Sequence, residues 1–115
     1  MKPGKELDIE VAKKIFHYVI VMDGSNKYSI ESINGKKRPV ENFSTDTNDA
    51  HLVIRKISEI GYVCNVRSEI DLDGNLFWFA GFFNKENQQI TFSQGETLGH
   101  SVCLSALKLI EGIEC

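Results

Sequence analysis

The residue types in this chain that could do chemistry are three histidines, three cysteines, one run of cations and a few closely spaced carboxylates. His100 stands three residues before Cys103, and positions three apart on a helix share a face. A thiolate activated by an imidazole is a nucleophile for acyl and ester substrates, so a small hydrolase using His100 and Cys103 is one enzyme reading. Against it, Cys103 falls on an apolar helix face, and no third polar group follows at the spacing of a triad. His51 lies close to Asp46 and Asp49, which suggests a metal cluster or an acid–base pair. The same carboxylates serve equally well as caps for a helix beginning there. No two histidines have the i, i+4 spacing of a helical zinc site. No catalytic residue, metal site or cofactor is therefore assigned, and the chain reads as a non-enzyme.

The cations are Lys36, Lys37 and Arg38, directly after an Asn34-Gly35 turn. Such a run is either a solvated loop tip or a contact for an anion. Arg67, on the polar face of its own strand, could join it if the loop folds back. These four are the candidate binding residues, for an acidic partner or for a small anionic, nucleotide-like molecule. Two other motifs look like sites and fail on detail. Asp71-x-Asp73-x-Asn75 begins like a calcium loop, but Leu76 occupies the place of the required glycine and the distal glutamate is missing, so a β-turn is expected. Gly95-Glu96-Thr97-Leu98-Gly99 precedes a helix and could offer backbone N–H groups to an anion. It carries no lysine, and Glu96 would repel a phosphate.

The elements that must position these groups follow from periodicity. Leu7, Val11, Ile15 and Phe16 recur at helical spacing, giving a first helix over 6–16. Tyr18 to Met22 is a continuous apolar run, read as a strand buried on both faces. Asp23-Gly24-Ser25-Asn26 turns the chain into a second strand over 27–33, and Lys36 to Pro39 continues as an exposed loop or edge. A second helix starts near Thr45 or Asp46, points Ala50, Val53, Ile54, Ile57 and Ile60 inward, and stops at Gly61. Tyr62 to Ile70 alternates, with Cys64 and Val66 facing one way and Asn65, Arg67 and Glu69 the other. Asn75 to Phe83 is apolar on both faces, with Trp78, Ala80 and Phe82 opposing Phe77, Phe79 and Phe83. Such a strand is expected to be central and covered on both sides. A polar turn over 84–89, a short strand over 90–93 and a broad apolar helix over 98–112 complete the chain.

At 115 residues this is one domain over 1–115, with residues 1–5 loose. Thirteen Lys and Arg against 16 Asp and Glu give a net charge of −3, so nucleic acid or an anionic lipid surface would need a local basic patch. Aromatics expected in the core also count against nucleic acid. No apolar run approaches the ~20 residues of a membrane span, and the start MKPGKELDIE turns acidic where a signal peptide would turn apolar. An odd cysteine count without CxxC spacing fits a reducing, cytoplasmic setting; Cys64 and Cys103 read as buried thiols, and Cys115 as open to adventitious pairing in air. Helix faces rich in Leu and Ile point to a homo-oligomer.

Four elements in order carry a family resemblance: the short first helix, the Ser44-Thr45-Asp46 cap with the Ala50 helix, the aromatic strand containing Trp78, and the CLSALKLIEG end of the last helix. In this layout the chain resembles the phage ABA sandwich domain, a family of small proteins carried by phages and prophages. The resemblance implies an α+β fold, a three-layer α-β-α sandwich with a largely antiparallel sheet, and a phage or prophage origin. It offers no active residues. The family has no settled activity. The inferred phage source alone suggests a protein that binds a host component in the bacterial cytoplasm, as in host takeover or anti-defence, and presents loops such as 34–40 and 84–89 to it.

Overall fold

The computed structural model describes residues 1–22 and 27–114. The turn expected at Asp23–Asn26 and the terminal Cys115 lie outside the described residues. The order of elements is α1 (Lys5–Lys14), β1 (Val19–Met22), β2 (Tyr28–Glu31), β3 (Lys37–Pro39), α2 (Thr47–Ser58), β4 (Val63–Ile70), β5 (Leu76–Phe83), β6 (Gln89–Gly95) and α3 (Leu98–Glu114). This is a single-domain α+β fold in which every strand pairing is antiparallel.

The strands form two sheets rather than one. The first has the order β1-β2-β3 and the second β4-β5-β6. Both are meanders of neighbouring strands, which short turns permit. Asp71 builds the β4–β5 turn: one carboxylate oxygen accepts from the backbone N–H groups of Asp73 and Asn75, each at 2.9 Å. Those hydrogen bonds hold its carboxyl below the ordinary carboxylate value, the Asn75 N–H contributing most. The motif that begins like a calcium loop is thus an Asx turn. Asn84 does the same for the β5–β6 turn, where its side-chain oxygen accepts from Glu86 and Gln88.

The hub is α3, which packs on β5, β6, α2 and α1. Its apolar stripe of Val102, Cys103, Ala106 and Leu109 is buried against Ala80 and Phe82 of β5, Val53 and Ile57 of α2, and Leu7 and Val11 of α1. Asp46 caps α2 by accepting from the Asp49 N–H at 3.1 Å. At the start of α3, Thr97 plays this part: its hydroxyl accepts from the His100 N–H at 2.9 Å and donates to the Ser44 carbonyl.

Two expectations are corrected here. β1 is not buried on both faces, because Val19 and Met22 at its ends are 61% and 57% exposed. β5 is central, but it is covered on one side only. Its Trp78, Ala80 and Phe82 side meets α3, and the contacts of β4–β6 with helices are to α2 and α3. Phe77, Phe79 and Phe83 lie on the other side and remain half-exposed.

Candidate functional site

The open side of the β4–β6 sheet is the candidate site, and strand register lays it out as a grid. One row across the three strands is Val63, Phe83 and Gln89; the next is Asn65, Gly81 and Phe92; the third is Arg67, Phe79 and Gln94. Residues alternate faces along a strand, so these nine share the side turned away from α3. Pairing runs Phe82 with Thr91 and then Phe83 with Gln89, which leaves Ile90 as the extra residue of a bulge. The bulge puts the Gln89 amide, in place of the Ile90 side chain, across from Phe83.

The centre of the grid is a glycine, and the missing side chain leaves a hollow of about 290 Å³ over Gly81. Asn65, Arg67, Phe79, Phe83, Gln89 and Phe92 surround it. A Cβ added at Gly81 would lie 3.6 Å from the Gln89 side-chain oxygen and 3.5 Å from the Phe83 ring, so both groups lean over the floor. On one wall Phe79 and Phe92 stack, with centroids 5.4 Å apart and planes 17° from parallel. The Arg67 guanidinium lies over that pair, 5.2 Å from the Phe79 centroid and 6.0 Å from that of Phe92. Its Nε lies 3.5 Å from a Glu69 carboxylate oxygen, a pair open to solvent and weak for that reason. The exposed rim continues into Val63 and Ile90. A face of this kind offers flat apolar contact, a planar cation and amides that both donate and accept.

The other cations are elsewhere. Arg38 pairs with Glu41 and lies over Tyr18 at 5.1 Å from the ring centroid, on the edge strand of the first sheet. Lys37 stands across from Glu31 in the register, and Lys36 is exposed in the preceding turn. Arg67 is on the second sheet, so the structure does not bring it together with Lys36, Lys37 and Arg38. Arg38 lines a separate open hollow of about 540 Å³ with His17, Tyr18 and Ile30.

The pairs considered for catalysis are structural in their contacts. His100 is buried, with Nδ1 accepting from the Glu96 N–H at 2.9 Å and Nε2 placed 2.7 Å from the Met1 carbonyl, where it donates. Both ring nitrogens are therefore engaged by backbone, and neither is left for Cys103. The Cys103 thiol is fully buried, and burial, with the Asp8 charge adding to it, raises its pKa far above the usual thiol range. A thiol so disfavoured as thiolate is inert. His51 is exposed, while Asp46 and Asp49 bond to backbone N–H groups of Asp49 and Asn42. Among the described residues no cluster of three His, Cys, Asp or Glu side chains could hold a metal ion.

The Gly95–Gly99 loop is not an anion cradle either. A Cβ at Gly95 would lie 2.5 Å from the Ser101 nitrogen, and one at Gly99 would lie 2.3 Å from the Phe43 carbonyl oxygen. These glycines let α3 abut β6 and the Phe43–Ser44 backbone. Below that contact Asp8 is buried, its Oδ1 accepting from the Ser44 N–H at 2.8 Å and the Ser44 hydroxyl at 2.7 Å. Burial raises the Asp8 pKa, and the two Ser44 bonds oppose the rise. This knot ties the start of α1 to the lead into α2.

Fold and face together define a small α+β domain with a closed helical side and an open aromatic sheet. Its architecture is shared with a phage protein from Bacillus cereus ATCC 14579, solved as a crystal structure: the TM-score is 0.75 at 21% identity, over 96% of this chain and 89% of that one. No protein-family model matches the chain, and no curated protein matches it in sequence. Among the described residues no helix is long and apolar enough to cross a membrane.

Sequence reasoning singled out Arg67 and missed its companions. The periodicity places Phe79 and Phe83 in a covered core and singles out neither Phe92 nor Gly81. The signal that was there is the grouping of Asn65, Arg67 and Glu69 on one face of β4, because a polar face on one strand argues against a helix lying over its neighbour.

Proposed function

We propose that this protein is a non-enzymatic, phage- or prophage-encoded binding protein that acts in the cytoplasm of a bacterial host by holding a host component against its open sheet face. The observation that carries this reading is the Arg67–Phe79–Phe92 stack on a surface that no helix of the described chain covers. A half-exposed group of aromatics with a cation above it is costly to leave in water and is typical of recognition surfaces. The fold shared with a Bacillus cereus phage protein supports the phage origin, and the cap, strand and helix motifs support membership of the phage ABA sandwich family.

The test is capture from host lysate by tagged wild type, by Phe92→Asp and by Lys36→Ala/Lys37→Ala, with mass spectrometry of proteins and small molecules. The expected result is a stoichiometric companion held by wild type and by the lysine variant and lost by Phe92→Asp. A companion that survives Phe92→Asp but not the lysine double variant would move the binding surface to the first sheet.

A further inference from the structure

We infer that the hollow over Gly81 is a site for one nucleobase, and that the ligand held there is a free nucleotide. The inference rests on the binding reading of the open face and specifies its occupant.

Shape comes first. Phe79 and Phe83 flank Gly81 on the same strand face, four residues apart, which at strand rise is roughly 13 Å. A flat ring slid between two aromatic walls needs roughly 3.5–4 Å of carbon contact on each side. The Phe79–Phe92 pair with Arg67 above it makes one such wall, and Phe83 makes the other. Position 81 adds no side chain to the floor, over which only the edge of the Phe83 ring and the Gln89 amide lean. Alanine there would place a Cβ 3.1 Å from the Thr91 carbonyl oxygen and begin to fill the hollow.

The polar groups then decide between a base and an apolar protein side chain. Asn65 and Phe92 stand on either side of Gly81 in one row, and Gln89 leans over it from the adjacent row. An amide presents a carbonyl acceptor beside an NH₂ donor, the same pairing that the edge of a nucleobase shows. A leucine or phenylalanine from a protein partner would cover both amides and satisfy neither, leaving buried donors and acceptors unpaired. Stacking on aromatic and guanidinium planes is tolerant of base identity, so the amides supply what selectivity there is.

Charge separates a free nucleotide from a strand of nucleic acid. Arg67 is the cation at the hollow, suited to one phosphate. Beyond it along the sheet come Glu69 and the hairpin carboxylates Asp71 and Asp73. A polyanion tracking that way would meet three carboxylates after one arginine, against the basic groove that strands require. A single nucleotide places its phosphate at Arg67 and stops there.

The experiment is titration by calorimetry and by amide NMR with AMP, GMP, CMP and UMP, each against ribose 5-phosphate and inorganic phosphate, and with a mixed-sequence single-stranded octamer. At least one nucleotide is expected to bind roughly tenfold or more tightly than ribose 5-phosphate, with shifts on β4, β5 and β6. Asn65→Ala/Gln89→Ala changes exposed side chains only and leaves the fold intact; it is expected to weaken binding about tenfold through the loss of two hydrogen bonds. Gly81→Ala is expected to weaken it further. Equal binding of ribose 5-phosphate overturns the inference, because the site would then be one for anions. Binding of the octamer without any mononucleotide overturns it, as does a dimer that Phe92→Asp disperses and no nucleotide affects. Silence from every nucleotide also overturns it, and if capture still depends on Phe92 the binding reading survives the loss.

Discussion

Asn65 of β4 stands directly across from Gly81 of β5, so an amide faces a gap where a sheet ordinarily presents a pair of side chains. Cross-strand pairs are the unit of sheet stabilisation. A glycine at the centre of a central strand gives one up and adds backbone entropy to the cost of folding. Both losses are local, and both leave room over the sheet. If the proposed binding at this face is right, variants around the gap should lower binding more than they lower stability.

Arg67→Ala illustrates this. The side chain is 64% exposed, so losing its contact with Phe79 and Phe92 should cost stability only about 0.5–1 kcal/mol. Urea denaturation should show a nearly unchanged midpoint, while capture of the host component falls. Arg67→Lys should keep the stability and not restore the binding, because an ammonium does not stack. A loss of several kcal/mol in unfolding free energy would mean that the stack is part of the core.

Asp8 and Ser44 make the opposite case, a pair that matters to folding. Asp8→Ala leaves the buried Ser44 N–H and hydroxyl without their acceptor and should cost about 1–3 kcal/mol. Asp8→Asn keeps a carbonyl acceptor and should cost less. Because burial raises the Asp8 pKa, the folded chain binds this proton more tightly than the unfolded chain does. Its contribution is then full below the ordinary value of 3.8 and is lost as pH rises through the raised value. Melting curves of wild type and Asp8→Asn should therefore differ most in wild type's favour in acid and converge or cross towards neutrality. A gap that widens with rising pH would show that the Ser44 bonds outweigh burial.

The thiols offer a third check. Cys103 is fully buried, and burial pushes the Cys64 thiol up to about 11. In a Cys115→Ser background, native protein at pH 8 should resist alkylation at both sites. Cys64 should react as pH approaches 11, and Cys103 only on unfolding. Rapid modification of Cys103 in the native protein would reopen the nucleophile reading that its contacts with apolar neighbours deny.

What the sequence disclosed depended on how far apart the cooperating residues lie. The helices, the Asp46 cap and the faces of β4 follow from neighbours a few positions apart and stand close to where periodicity puts them. The exceptions are that α1 stops at Lys14 and α2 at Ser58, which leaves Ile60, expected to face inward, 52% exposed. The face of β5 did not follow, because Phe77, Phe79 and Phe83 read the same whether a helix or water lies over them. Only the packing of α3 on one side decides that. The split into two sheets is equally non-local: β3 pairs with β2, and nothing in the Lys36–Pro39 run says that it will not continue to β4. Gly81 was silent because glycine in a strand becomes a hollow only when its cross-strand neighbours are known.

The placement of α3, on which all of this rests, is open to a direct test with two of its glycines. Gly112 has no heavy atom within 4 Å of an added Cβ, so Gly112→Ala should simply relieve the entropic cost of glycine in a helix and stabilise by about 0.5–1 kcal/mol. Gly99 is the reverse. Its Cβ would lie 2.3 Å from the Phe43 carbonyl oxygen and 2.9 Å from the Ser44 carbonyl carbon, and backbone does not yield as a side chain end does. The helix cannot retreat cheaply, because Thr97 bonds to the Ser44 carbonyl and Phe43 is fully buried against Phe16 at 5.0 Å between ring centroids. Gly99→Ala should cost more than about 3 kcal/mol or prevent folding. If both alanines were tolerated alike, α3 would not abut the Phe43–Ser44 backbone, and the helix that closes one side of the sheet would lie elsewhere.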